Sequence, residues 1–436
     1  MQGGGDSYLY KRYDACFNST NGFFQSTPMY TLFSTLYYEL HRTNASYSDT
    51  VRIEIEEWLA QRPRRSERPE AIKPRRNCVI IFVESFESWV VGLTVEGNEI
   101  MPHLNARMQE STTLYAPCVL TQTNGGRSID GQLLILAGLL PLKNGTYSAL
   151  YPDHTYYTLQ KAMKELHGSR NYLLTTDKTK TWNQGIIARS FGTDTIVSEP
   201  DFQKTERIKR HHLGDRAFFR QAADKMRNGE LWPVGETGFV QLVTYAMHNP
   251  FIIPKQLRSI RFSNAIPDVM SNYMTAAHYT DEGLGIFLDY LKSRPDYDDT
   301  LIVITGDHEG LADYRNGLCQ TEAGRGIVSE HQYTPFIVLN SPVAMRCDEV
   351  MGQIDIYPTL LDLLGLDDYR WHGLGHSILT PQRPSAAVGN QLTVEGEADE
   401  ATVDRLRRAF TVSDEIIRHD YFRREPSFDD AARQTP

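Results

Sequence analysis

At 436 residues, 40% hydrophobic and 23% charged, the chain is long enough to bury a sizeable core, as one large domain with additions or as two or three smaller ones. Acidic residues outnumber basic ones 55 to 45, for a formal charge of -10, which leaves no global positive field and excludes a nucleic-acid binder. No run approaches about 18 consecutive apolar residues, so no membrane span is expected within the chain, and the opening "MQGGGDSY" lacks the charged and apolar regions of a signal peptide.

The first five residues read as a boundary, with upstream segments expected ahead of them. Within 1–61 the run "TPMYTLFSTLYYELHR" places Met29, Leu32, Phe33, Leu36 and Tyr37 on one helical face, so this part is read as an N-terminal helical segment. Residues 62–76, rich in Pro and Arg, read as an exposed basic linker; contact with anionic headgroups is the functional alternative to a solvated connection. From 77 to 384 the pattern is that of a single large unit. Apolar runs of strand length ("CVIIFVES", "NYLLTTD", "FVQLVTYAMH", "TLIVITGDH", "TPFIVLN") alternate with helical stretches at 157–166, 273–293 and 353–365. Strands that are apolar throughout, separated by helices, predict an α/β fold with a mainly parallel central sheet covered on both faces. Residues 385–436 are polar and poor in large aliphatics, and are read as a peripheral helix with a frayed tail. Cys16, Cys78, Cys118, Cys319 and Cys347 show no CxxC spacing and are odd in number, so they specify neither a zinc knuckle nor a fully paired framework.

In a sheet of this kind ligands sit at the carboxyl ends of the strands, where four of the apolar runs finish on something reactive. They end at Glu84, at Asp177, at His248, and at Asp307 with His308. The loop "TQTNGGRSIDG" precedes an apolar helix and would aim its backbone N–H groups at the same rim. Ser128 in that loop has a bland reading as a helix N-cap, with Asp130 suiting the helix dipole. Taken singly, Glu84 is a cap, His248 a core histidine and "GDHEG" a polar turn. Together they supply carboxylates and an imidazole for one divalent cation with a hydroxyl beside it. The oxygen-rich ligation favours manganese, with magnesium or zinc as alternatives. Such a cation would lower the pKa of the hydroxyl and neutralise charge on phosphoryl or sulfuryl oxygens. Glu87, Asp130 and Glu309 are expected to orient or cap, and His211 and His212 to lie in an exposed basic stretch.

The motifs "VIIFVESFES", "NGGRSIDG", "WNQG", "HNPF", "ITGDHEG" and "DIYPTLLDLLG", in that order, resemble the alkaline-phosphatase superfamily. More narrowly, residues from roughly 76 to 380 resemble the extracellular domain of lipoteichoic acid synthases and related phosphoglycerol or phosphoethanolamine transferases. The resemblance implies that Glu84, Ser128, Asp307 and His308 hold the cation, with Ser128 as nucleophile. It also implies that Trp182 lines a headgroup pocket and that His248 binds substrate. Two positions depart from the pattern: Gln184 stands where the synthases carry an arginine that grips glycerol phosphate, and Thr175 where they carry a histidine. Arg127, Lys178 and Lys180 are the candidate substitutes for the lost cation, and His331 is a candidate added ligand or leaving-group partner. Sulfatases of the superfamily carry a Cys or Ser in a C/S-x-P-x-R context, and neither Ser128 nor Cys118 has that Pro or Arg in register.

The resemblance therefore implies a transferase that moves a phosphodiester headgroup from a phospholipid to a glycan or lipid acceptor through a covalent Ser128 intermediate. It would act at the extracytoplasmic face of a bacterial inner membrane, anchored by a region absent from this chain. A soluble phosphate- or sulfate-ester hydrolase and a catalytically silent binding domain are the alternatives.

Overall fold

The apolar run after Arg76 forms β1, Asn77–Val83, buried at every position, as a strand covered on both faces must be. The computed structural model describes residues 47–61, 72–209, 212–312, 314–381 and 383–425. The helix expected in 27–42 and most of the basic linker lie outside these residues. In chain order the sheet contains β1, β2 (Leu114–Leu120), β3 (Arg170–Thr175), β4 (Thr195–Val197), β5 (Gly238–Val243), β6 (Thr300–Gly306), β7 (Tyr333–Leu339), and the short β8 (Met345–Arg346) and β9 (Met351–Gly352). Their spatial order is β8-β2-β7-β6-β1-β5-β3-β4, with β9 beside β2. β1 runs parallel to β6 from Asn77↔Thr300 to Val83↔Gly306 and parallel to β5 on its other side. Only β7 opposes its neighbours.

The main helices are α1 (Asp49–Ala60), α2 (Ser128–Ala137), α3 (Leu159–His167), α4 (Gln184–Ser190), α5 (Asp215–Arg227), α6 (Asp268–Lys292), α7 (Ile356–Leu364) and α8 (Glu400–Arg418). Alternation along β1 divides the core. Cys78, Ile80 and Phe82 pack with α2, α3, α7 and α8, while Val79, Ile81 and Val83 pack with α5 and α6. The polar C-terminal segment contributes to this core: Ala409, Phe410, Val412, Ile416 and Ile417 of α8 are buried in the same cluster as Ile55 and Trp58 of α1. Ahead of α8, residues 385–397 form a hairpin.

The helix expected at 273–293 starts earlier, at Asp268, directly after Pro267. The stretch expected as one helix at 353–365 enters through a 3₁₀ turn, Gln353–Asp355, and stops where Gly365 takes a left-handed φ of 66°. β2 is the one long strand that the sequence pattern does not reveal, beside the short β4, β8 and β9. It contains Pro117 and is only half-buried along its length, so it lacks the continuous apolar run of its neighbours.

One glycine sets how closely α2 approaches the sheet. A Cβ on Gly131 would come within 2.4 Å of the Asp307 carbonyl oxygen at the end of β6. Gly131→Ala is expected to destabilise the fold by about 2 kcal/mol through this overlap, and a denaturant titration would measure it. A wild-type midpoint would show that α2 is free to back away.

Candidate active site

The parallel strands deliver their following residues to one edge of the sheet, as the sequence pattern predicts. Glu84 leaves β1, Asp307 and His308 leave β6, His248 lies beyond β5, and Asp177 lies beyond β3. Glu84, Asp307 and His308 are 4%, 1% and 6% exposed, and their ligand-type atoms lie within 4.8 Å of one another. The loops carrying them are tied together. Asp307 Oδ1 accepts from the backbone N–H of Ser85 and of His308, each at 2.8 Å. Ser85 Oγ donates to Glu84 Oε1 at 2.7 Å, and the Glu84 N–H donates to Thr244 Oγ1 at 3.0 Å. The Tyr273 hydroxyl donates to the Ser85 carbonyl at 2.7 Å and accepts from the Glu87 N–H at 2.9 Å. Glu87, which the sequence analysis expects to orient its neighbours, accepts from Arg315 and from the N–H groups of Gly310 and Leu311, fixing the turn after His308. Gln353 Nε2 donates to the Asp307 carbonyl at 2.8 Å.

Ser128 is not the N-cap. Arg127 is the cap residue, at φ 46° and ψ -114°, and Ser128 is the first residue of α2. Its hydroxyl donates to Glu84 Oε2 at 3.2 Å. Asp130, in the first turn, reaches back and fixes the loop instead of capping the helix: its Oδ2 accepts from the N–H groups of Asn124 and Gly126, both at 2.9 Å. A left-handed arginine costs about 1–2 kcal/mol, and its side chain is held by an ion pair with Glu309. The turn thus places a hydroxyl, the positive end of a helix and a buried carboxylate at one point.

The electrostatics of this point favour a cation. Burial and the neighbouring Glu84 charge push the Asp307 carboxyl up to about 7. Burial alone would raise Glu84 as well, but the charge and hydrogen bond of His308 outweigh it and hold that carboxyl below its ordinary range. Burial lowers His308, yet Asp307 and Glu84 together push it up to about 10. Its Nε2 lies 3.3 Å from Glu84 Oε1 and its Nδ1 faces the Glu309 carbonyl at 2.7 Å. Among the described residues Asp307 Oδ2 is buried without a hydrogen-bond partner of normal geometry, although Ser128 contributes to holding its charge. Two buried carboxylates, an imidazole with its far nitrogen fixed by a carbonyl, and an oxygen without a partner fit a divalent ion. Protons occupying Asp307 and His308 must leave before a cation binds. Apparent manganese affinity is therefore expected to rise about tenfold per pH unit above about pH 7 and more steeply below it. Titration calorimetry across pH would measure this, and a pH-independent affinity would contradict it.

The remaining candidates divide. Trp182 is half-buried at φ 55°, one residue before a second left-handed position, Asn183. His248 lies exposed at the rim, with its Nδ1 2.8 Å from the Asn249 carbonyl. Thr175 is buried, its Oγ1 accepting from the Asp177 N–H at 3.2 Å. Lys178 and Lys180 are exposed on the following loop. Gln184 is buried, and its amide is paired with that of Gln132 rather than presented at the rim. His331 pairs with Glu395 at 2.8 Å and stacks on Tyr333, so it is engaged with the C-terminal hairpin and not with the carboxylate cluster.

The sequence reading put His211 and His212 in an exposed basic stretch; His211 lies outside the described residues, and His212 is half-buried. The structure stacks it on Tyr245, ring centroids 3.9 Å apart, with its Nδ1 3.7 Å from Asp177 Oδ1. Tyr245 also stacks with His248 at 5.2 Å and carries the Lys209 ammonium 5.1 Å from its ring centroid. Asp215 holds this loop by accepting from the N–H groups of Tyr245 and Ala246. A local signal for His212 was absent, since its place is set by pairing with a neighbouring strand, Ile208 opposite His212 and Arg207 opposite Leu213.

Comparison with known proteins bears on this geometry. The Sulfatase family model matches residues 76–366. The lipoteichoic acid synthase-like YvgJ of Bacillus subtilis (strain 168) is 26% identical over 323 residues, 72% of this chain and 51% of that protein. The chain thus spans about half the length of that relative. Among solved structures, the lipoteichoic acid synthase LtaP from Listeria monocytogenes superposes with a TM-score of 0.68 at 19% identity, covering 84% of this chain and 98% of that one. The Streptococcus pyogenes phosphoglycerol transferase GacH, in complex with sn-glycerol-1-phosphate, gives a TM-score of 0.59 at 14% identity, covering 88% and 97%.

Proposed function

Since the chain belongs to the Sulfatase family of the alkaline-phosphatase superfamily, we propose that it is the catalytic domain of a metal-dependent transferase that moves a phosphodiester headgroup from a phospholipid to an acceptor. The observation that carries this reading is the Ser128 hydroxyl, set at the start of α2 and hydrogen-bonded to Glu84 beside Asp307 and His308. Its relatives support the substrate class: GacH is a phosphoglycerol transferase with bound glycerol phosphate, and YvgJ and LtaP are named for lipoteichoic acid synthesis.

Glu84, Asp307 and His308 would hold the cation, with Ser128 at its side. Manganese suits the oxygen-rich set, with magnesium or zinc as alternatives. A divalent ion there would neutralise charge on the phosphoryl oxygens and lower the pKa of the serine hydroxyl. In the first half-reaction Ser128 Oγ forms a bond to phosphorus as the bond to the diacylglycerol oxygen breaks, and the serine proton ends on that oxygen. In the second, an acceptor hydroxyl attacks the phosphoserine ester, Ser128 Oγ leaves, and the acceptor proton returns to it. The N–H groups at the start of α2 stabilise the transferred oxygens. Trp182 forms a wall for the headgroup, and His248 stands at the rim to hold the departing or entering oxygen. Lys178 and Lys180, exposed on the loop after β3, and Arg127, which is ion-paired with Glu309, are the cations proposed to serve an anionic substrate.

A glycan or lipid alcohol is the proposed acceptor, and the extracytoplasmic face of a bacterial membrane the proposed location, with anchoring by a region outside this chain. Among the described residues no helix is long and apolar enough to cross a membrane. Hydrolysis is the second reading. It is favoured by Gln184, whose amide is committed to Gln132 where the resembled synthases hold glycerol phosphate with an arginine.

The test is diacylglycerol release from fluorescent phosphatidylglycerol and phosphatidylethanolamine in the presence of manganese. Release that a chelator stops, with the headgroup phosphate recovered on an added alcohol acceptor, supports the reading; recovery as free glycerol phosphate or ethanolamine phosphate favours hydrolysis. Intact donor with the cation demonstrably bound would reject it.

A further inference from the structure

Four buried glutamines form a chain through the core beneath the site. Gln184 Nε2 donates to Gln132 Oε1 at 2.9 Å, and Gln132 Nε2 returns a longer bond to Gln184 Oε1 at 3.3 Å. Gln241 Nε2 also donates to Gln132 Oε1, at 2.9 Å, and Gln160 Nε2 donates to Gln241 Oε1 at 3.3 Å. All four are between 1% and 8% exposed. Each sits where an apolar side chain would be the cheaper choice. Gln132 lies in a helix buried at every position from Ile129 to Ala137. Gln241 interrupts the apolar β5 in the middle of the sheet, opposite Ile80 on one side and Leu173 on the other. Burying amides this way contributes little net stability, but it fixes geometry, because a reciprocal amide pair works only at hydrogen-bond separation and in one orientation.

Its position suggests what is being fixed. Gln132 lies four residues after Ser128, one turn along α2 and on the same face. Gln184 opens α4 directly after Trp182 and Asn183, two consecutive residues with φ of 55° and 54°. That backbone is strained and needs external support. Asn183 Nδ2 donates to the Ser148 carbonyl at 2.8 Å, and the Gly185 N–H donates to the Thr179 carbonyl at 2.7 Å. Trp182 packs on the apolar cluster that includes α2, and the Gln132–Gln184 pair adds a directional hydrogen-bonded tie between this turn and the helix bearing Ser128.

We infer that Gln132 and Gln184 are positioning residues that set the distance between the Trp182 turn and the Ser128 hydroxyl. The inference rests on the reading of Trp182 as the headgroup wall, and it explains why position 184 carries an amide: in this chain the side chain serves the scaffold and not the substrate. An apolar pair would leave the turn free to drift, and small displacements of substrate-holding groups cost large factors in rate.

Hydrogen exchange of Gln132→Leu and Gln184→Met tests this without relying on turnover. Gln184→Met leaves the Gln132–Gln241 bond in place, so it remains informative if Gln132→Leu folds poorly. Amides of 179–186 are expected to exchange at least about tenfold faster in both variants, with 77–83 and 300–306 unchanged. For the lipid donor, KM is expected to rise about tenfold with a smaller change in kcat, and the double variant is expected to be no worse than the poorer single one, as for residues acting through one contact. Unaltered exchange at 179–186, or acceleration spread evenly over the sheet, would overturn the inference. Wild-type protein that releases no diacylglycerol would instead reject the transferase reading and leave the exchange result to decide the positioning one.

Discussion

Ser128→Ala is expected to lower turnover by at least about a thousandfold, the loss typical of removing a nucleophile. The protein should remain folded and keep its cation. Ser128 is the first residue of α2 and not its cap, and the loop ahead of it is fixed by Asp130, which accepts the N–H groups of Asn124 and Gly126. The Ser128 hydroxyl donates to Glu84, which also accepts from Ser85 at 2.7 Å, and contributes to holding the Asp307 charge. Losing it should cost about 1 kcal/mol or less. Manganese affinity and the denaturation midpoint of the variant, measured beside its rate, separate chemistry from folding. A variant that turns over at the wild-type rate would exclude Ser128 as nucleophile.

Asp307→Asn is the second substitution with a large expected effect. Asparagine can keep its carbonyl oxygen toward the Ser85 and His308 N–H groups that Asp307 Oδ1 now accepts at 2.8 Å. The amide nitrogen then replaces Oδ2, the buried oxygen without a normal partner among the described residues. The loop survives, but a ligand becomes a donor. Manganese binding is expected to weaken by at least about a hundredfold. The change also removes one of two buried acids that repel each other, so the unliganded variant should unfold at a temperature equal to or above that of the wild type. Calorimetry for the metal and thermal melts without it give both numbers. Tight binding by Asp307→Asn would move the cation site elsewhere.

Much of this architecture was legible in the sequence, for identifiable reasons. β1, β3, β5, β6 and β7 are apolar along most of their length because helices cover both faces of the sheet, and such runs stand out. Glu84, Asp307 and His308 were found because each directly follows one of these strands. β2 was not, since Pro117 and its half-exposed residues give no continuous run. Ser128 was legible as the start of its helix; its alternative reading as the cap fails because the helix already begins at Ser128, with Arg127 as the cap residue. His212 was dismissed because its stacking on Tyr245 depends on a turn arriving from a distant part of the chain. Gln184 illustrates the opposite limit. Its departure from the family pattern was visible at once, but its partner, Gln132, lies 52 positions away and no local feature connects the two. A lone glutamine in the apolar run "FVQLV" was the available clue to the buried amide chain.

The central claim is that Ser128 becomes covalently linked to a headgroup phosphate. Mass spectrometry of the intact protein and its peptides, after incubation with manganese and a mixture of phosphatidylglycerol and phosphatidylethanolamine, tests it most directly. The account predicts a mass increase confined to the peptide containing Ser128, equal to one glycerol phosphate or one ethanolamine phosphate and absent in Ser128→Ala. Diacylglycerol release with an adduct on any other residue, or with Ser128 unmodified under conditions that trap intermediates, would contradict it.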